Sequence, residues 1–174
     1  ASWPSSTLRR RTCSTCRTGR AHICRNLQIL GVDTDGAFAE YVVVPAENAW
    51  IVGEGIHPDH ASVMEPFGNA VHATFGTEGG EDLLTNPVAV IGCGPIGLFA
   101  VGIARALGAW KVIAIEPNDE RRSLAAKMGA DLLVDPSADD PVEAVMDATE
   151  GNGAEVVLEM SGNATAIDQG TRLL

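Results

Sequence analysis

The chain has no apolar run approaching the roughly 20 residues of a membrane-spanning helix, so no membrane partner is expected. No signal-peptide core precedes residue 25, and a cytoplasmic location is the expectation. No internal repeat or low-complexity tract is found, which sets aside stacked-repeat architectures. Cysteine is scarce: four residues, which in a cytosolic chain point to metal binding or free thiols rather than disulfides. Acids are absent from residues 1–25, which hold six arginines, whereas the remainder sets six Lys and Arg against 23 acids. The net charge of −11 would repel a phosphate backbone, so nucleic acid is not an expected partner. At 45% hydrophobic and 20% charged, the 174 residues can bury a core, as one ordinary domain or parts of two.

The most informative stretch is VAVIGCGPIGLFAVGIARALGAWKVIAIE, from Val88 to Glu116. An apolar run, Val88–Ile91, leads into Gly92-Cys93-Gly94-Pro95-Ile96-Gly97, then a helical pattern, a second apolar run and the acid Glu116. This is the G-x-G-x-x-G fingerprint of a dinucleotide site in strand–turn–helix–strand context. Gly92 permits the tight turn, Gly94 lets a diphosphate approach the backbone, and Gly97 lets the helix pack against the strand. The helix start at Ile96 and Gly97 offers unpaired N–H groups to a pyrophosphate. A carboxylate at Glu116 would accept hydrogen bonds from ribose hydroxyls and repel a 2′-phosphate, which favours NAD over NADP. Arg121 and Arg122 argue the other way, since an arginine can hold a 2′-phosphate.

Residues 1–12 show neither helical nor strand periodicity and read as a disordered or foreign leader. Gly36–Pro45, GAFAEYVVVP, carries a strong strand signal. Trp50–Val52 reads as a short strand, and a helix is expected over about Ala61–Phe75, kinked near Pro66. From Pro87 onward strands are predicted at Val88–Ile91, Val112–Ile115, Leu132–Val134 and Val156–Glu159. Helices are predicted over about Ile96–Leu107, Glu120–Met128, Val142–Thr149 and Ala164–Leu174. Strand–helix alternation predicts a parallel, doubly wound α/β (Rossmann) sheet. Only four of the usual six strands are counted, so the sheet is expected to be incomplete. The predicted division is a leader, 1–12, a cysteine-bearing region, 13–80, and a dinucleotide-binding region, 81–174. The acidic run Asp135–Glu143 reads as a solvated face. Ser161-Gly162-Asn163, after the fourth strand, is either a ligand-contacting loop or an ordinary turn.

Cys13, Cys16 and Cys24 follow C-x₂-C-x₇-C. They read either as free thiols of a surface loop or as three ligands of a zinc site, which needs four to close. His22 lies in the intervening loop as a further donor. Cys93 reads as a small packed residue. Glu65, Asn69 and His72 share a helix, where Glu65 is either a site acid or an acid stabilised by local N–H groups.

With CSTCRTGRAHIC, GVDTDGAFAEYVVVPAENAW, MEPFGNAVHATF, the glycine fingerprint, KMGAD and LEMSG, the chain resembles the zinc-containing medium-chain alcohol dehydrogenases. EPFGNAVH together with GVDTDGAFAEY makes it similar to their threonine 3-dehydrogenase branch rather than to polyol or glucose dehydrogenases. The resemblance implies a GroES-like β-rich catalytic domain, present here as a remnant, ahead of the NAD-binding sheet. It implies a structural zinc lobe at Cys13, Cys16 and Cys24, with Arg10 standing where the fourth cysteine would be. It places Glu65 near a catalytic zinc, as alternate ligand or proton relay, in a chain otherwise short of that zinc's ligands. The implied reaction is hydride transfer from the hydroxyl-bearing carbon of L-threonine, or a related alcohol, to NAD, in a homotetrameric parent. The chain itself is expected to be an inactive middle fragment. Two rival readings stand beside this one: another zinc polyol or secondary-alcohol dehydrogenase, and a non-catalytic nucleotide-binding remnant.

Overall fold

The structure, a computed structural model, describes residues 2–4, 7–8, 13–76 and 80–174. Its backbone divides into two compact units, Ala1–Ser62 and Val63–Leu174. The division falls earlier in the chain than residue 80, where the predicted cysteine-bearing region ends.

In the first unit, β1 (Ser2–Pro4), β2 (Thr7–Leu8), β3 (Gln28–Ile29) and β4 (Ala49–Ile51) form two antiparallel pairs, β1 with β4 and β2 with β3. The expectation of a structureless leader is corrected at Ser2–Pro4 and Thr7–Leu8. A ladder to a partner strand imposes extended backbone where local periodicity gives no signal. The other residues of the predicted leader lie outside the described residues. A single helical turn, α1 (Ser14–Arg17), and a 3₁₀ turn, Ala21–Ile23, carry the cysteine-bearing loop. The strand predicted over Gly36–Pro45 does not form: these residues are bends and irregular chain, with Phe38, Tyr41 and Val43 exposed. Strand propensity expresses fit to a neighbouring pleated surface, and among the described residues no strand pairs with this run.

The predicted kinked helix is two helices, α2 (Pro58–Ser62) and α3 (Met64–Phe75), which meet at Val63. Pro66 sets the break. Its ring opposes a helical carbonyl four residues back, at Ser62, so a continuous helix cannot pass through Val63. Within α3 the same proline sits in the first turn, where its missing N–H costs no bond.

The second unit holds a sheet of β5 (Pro87–Ile91), β6 (Lys111–Ile115), β7 (Leu132–Val134) and β8 (Val156–Glu159). All are parallel, in the order β7-β6-β5-β8. Between and after them run α4 (Pro95–Leu107), α5 (Asp119–Met128), α6 (Pro141–Ala148) and α7 (Ala164–Thr171). The doubly wound α/β class expected from the alternation is the one observed. Side-chain alternation divides the core between the two faces. Val88, Val90, Val112, Ala114 and Leu158 pack with Ala100 and Ala104 of α4 and with Ala70 of α3. Ala89, Ile91, Ile113 and Ile115 pack with Val145 of α6 and with Leu173. Burial on both faces explains why these strands are continuous apolar runs in sequence.

Candidate functional site

The turn after β5 is built as the glycine spacing requires. Gly92 has φ +85°, and a Cβ there would lie 2.8 Å from Ser161 Cα. A Cβ on Gly97 would lie 1.9 Å from the Gly92 carbonyl oxygen, so helix and turn touch there. Gly94 is different: a Cβ would meet nothing within 4 Å. Its open side faces a cavity of about 420 Å³ at the carboxyl ends of β5, β6 and β8. Gly94 is also the N-cap of α4, with Pro95 following in the first turn, so the helix start points its free N–H groups to this edge. Gly92, Glu116, Arg121, Ser137, Ser161 and Asn163 share the cavity wall. Ile96 and Gly97 do not line it; the Ile96 side chain packs on the core.

Glu116 is the last residue before Pro117 at the mouth of β6, and it is 3% exposed. Its Oε2 accepts the Cys93 N–H at 2.8 Å, and its Oε1 accepts the Asn118 N–H at 3.0 Å. The carboxylate thus ties the glycine turn to the loop after β6. A carboxylate has about four acceptor directions, so it keeps capacity toward the cavity it lines. Burial first, then the Glu116 charge, pushes the adjoining Cys93 thiol up to about 12, against a small opposing pull from Arg121.

The two arginines part company. Arg122 donates to the Glu116 carbonyl oxygen at 2.7 Å and pairs with Asp119 and, at 3.1 Å, with Asp135. It is committed to holding the loop and is not free for a phosphate. Arg121 lines the cavity, with no ion pair among the described residues. Asp135 therefore corrects the reading of residues 135–143 as only a solvated face. The Ser137 N–H and then, less strongly, Arg122 hold its carboxyl below the usual range. Asp140 caps α6 by accepting the Val142 N–H at 2.8 Å.

The loop after β8 completes the wall. Glu159 Oε1 accepts the Ser161 N–H at 2.7 Å, and Asn163 Oδ1 accepts the Thr165 N–H at 2.9 Å to cap α7. Sequence reasoning reached this loop but missed Pro117, Pro136, Thr165 and Gln169, which also line the cavity. The rule that loops at carboxyl ends of parallel strands line the crevice would have found the first two.

Two predicted groups are not among the residues that line this cavity. Glu65, in the first turn of α3, is exposed and accepts from Asn69 Nδ2 at 2.8 Å. It joins no cluster of metal-ligating side chains among the described residues. In the first unit, the sulfurs of Cys13, Cys16 and Cys24 lie within 4.8 Å of one another. Cys13 Sγ is 3.4 Å from Cys16 Sγ and 3.7 Å from Cys24 Sγ. The Thr15 hydroxyl, then the Cys16 and Arg25 backbone, hold the Cys13 thiol down to about 5; burial and the neighbouring sulfurs push Cys16 up to about 11. His22 is exposed and stands outside the cluster. Arg10 lies outside the described residues. Among the described residues the donor set is three thiols, one short of the four that close a structural zinc.

Comparison with known proteins matches both parts of the chain. Residues 4–54 match the alcohol dehydrogenase GroES-like domain, and residues 95–174 match the zinc-binding dehydrogenase family. Among solved structures, a protein described as a zinc-binding dehydrogenase from Sinorhizobium meliloti 1021, bound to NADP, has a TM-score of 0.88 and 36% identity. It is matched over 99% of this chain and 50% of its own. The alcohol dehydrogenase TADH from Thermus sp. ATN1 has a TM-score of 0.86 and 26% identity, over 99% of this chain and 51% of its own. With its fold and both matched domains, the chain is similar to the zinc-containing medium-chain alcohol dehydrogenases. Within them it is similar to L-threonine 3-dehydrogenases: 52% identical to that of Caldanaerobacter subterraneus subsp. tengcongensis and 48% to that of Pyrococcus abyssi. Each match covers 91% of this chain and 44% of the relative, so the chain spans under half the length of these proteins.

Proposed function

We propose that this chain supplies the NAD-binding part of a zinc-containing dehydrogenase that oxidises L-threonine at its hydroxyl carbon to 2-amino-3-oxobutanoate. The observation that carries the reading is the open side of Gly94 on a cavity walled by Glu116. A pyrophosphate approaches backbone only where no Cβ intervenes, and the start of α4 favours its charge. Glu116 would receive the ribose hydroxyls, and its charge selects NAD over its 2′-phosphorylated form. Arg121, on the same wall, would sit beside the adenosine end. NAD, when bound, serves as the hydride acceptor. The substrate assignment is supported by the identity to threonine dehydrogenases. Zinc fits the residues present less well. The sulfur lobe has three donors, and Glu65 has no companion ligands among the described residues. The 174 residues are expected to bind dinucleotide without turning over threonine.

Titration of NAD and NADP into the wild type and Gly94→Val tests this. The branched side chain enters open space, so the circular dichroism and melting of the variant should match the wild type while NAD binding is lost. Equal NAD affinity in both proteins would overturn the cofactor reading. Tighter binding of NADP than of NAD would overturn the role of Glu116. Threonine-dependent NADH production by the chain itself would overturn the expected lack of turnover.

A further inference from the structure

The sulfur lobe has a geometry of its own. Zinc–sulfur bonds of about 2.3 Å at tetrahedral angles place sulfurs about 3.8 Å apart. Two of the pairs here, at 3.4 and 3.7 Å, are close to that spacing before any ion is bound. The three sulfurs therefore form one face of a coordination polyhedron. Local bonds hold the face in place: the Asn26 N–H donates to Cys24 Sγ at 3.4 Å, and the Thr15 hydroxyl lies 2.9 Å from Cys13 Sγ. Thr15 also donates to the Ile23 carbonyl, which links the two ends of the loop. Such outer bonds orient ligating atoms.

Among the described residues, no other side chain completes a fourth corner. Residues 1–12 contain no cysteine, histidine or acid. His22 is outside the cluster, and Cys93, the remaining cysteine, is buried in the core of the second unit. Zinc on this face would keep an exchangeable water, as in open sites. An ion that prefers three soft ligands has no such deficit, and thiolates select for softness. We propose that the Cys13–Cys16–Cys24 lobe is a binding site for a three-coordinate thiophilic ion, of which trivalent arsenic is the pyramidal example, rather than a closed structural zinc site. Arsenite binds by exchange without redox change. Three As–O bonds break and three As–S bonds form, and the three thiol protons leave with the hydroxides as water.

The reduced 174-residue chain is titrated with arsenite, and the remaining thiols are counted in denaturant with a chromogenic disulfide. Of the four thiols, three should be protected with one arsenic per chain, which leaves Cys93 reactive. Cys24→Ser should lose this protection at Cys13 and Cys16 under the same arsenite excess, and zinc-loaded wild type should give up its metal on dialysis against a chelator. Because the wild-type count does not depend on a variant folding, it stands alone as a test. Protection of only two thiols, no binding of arsenite, or stoichiometric zinc that survives the chelator would each overturn the proposal.

Discussion

Cys93 lies within the glycine turn, with its N–H on the Glu116 carboxylate, and its chemistry follows from that place. Its thiol ionises at about 12 in the fold against an ordinary value of 9.0. Below pH 9.0 the thiol is protonated whether the chain is folded or not, so it adds no pH dependence there. Between 9.0 and about 12 the unfolded chain loses a proton that the folded chain keeps, so stability falls as pH rises. Denaturant midpoints across that window should fall more steeply for the wild type than for Cys93→Ala; parallel profiles would show that the thiol is not held neutral. The glycines beside it were legible in sequence because each answers a local steric demand: turn, open approach, helix contact. The division of labour between Arg121 and Arg122 was not legible. It depends on Asp135, which reaches α5 only because β7 lies next to β6.

At the scale of the element, helix ends are set by single side chains. Asp140 accepts the N–H groups of Val142 and Glu143, and Pro141 follows it in the first turn of α6. Asp140→Ala should cost about 1 kcal/mol, whereas Asp140→Asn should cost little. Thermal unfolding reads this as a fall of roughly a few degrees for the alanine variant alone; equal midpoints in all three proteins would mean that the cap contributes nothing. The strands β5 to β8 were legible to within a residue, and most plainly β5 and β6, because a strand buried on both faces writes its own apolar run. Gly36–Pro45 misled for the complementary reason. Its valines and aromatics describe a surface to be covered, and a strand exists only with the neighbour that covers it. The break at Val63 was readable in kind but misplaced, since Pro66 acts on the carbonyl four residues before it.

Over the whole molecule, the alternation of strands and helices announced a parallel, doubly wound sheet, and the order β7-β6-β5-β8 realises it. The order itself was not written in any local pattern, because it arises from the direction in which each crossover turns. The chain winds outward from β5 to β6 and β7, then returns to place β8 on the other side, and the cavity opens where that direction reverses. This arrangement has a kinetic consequence. β5 and β6 close through one helix, whereas Val88 meets Val156 only after two further helices and a strand have been laid down. Contacts so distant in sequence pay a larger loop-closure entropy and tend to form late. The wall at Ser161 and Asn163 should thus be the last to assemble. In stopped-flow refolding, NAD capture should lag behind the recovery of helical circular dichroism, and simultaneous recovery would show that the sheet zips up as one unit. A nascent chain emerging from the ribosome would accordingly acquire its helices before it could hold a nucleotide.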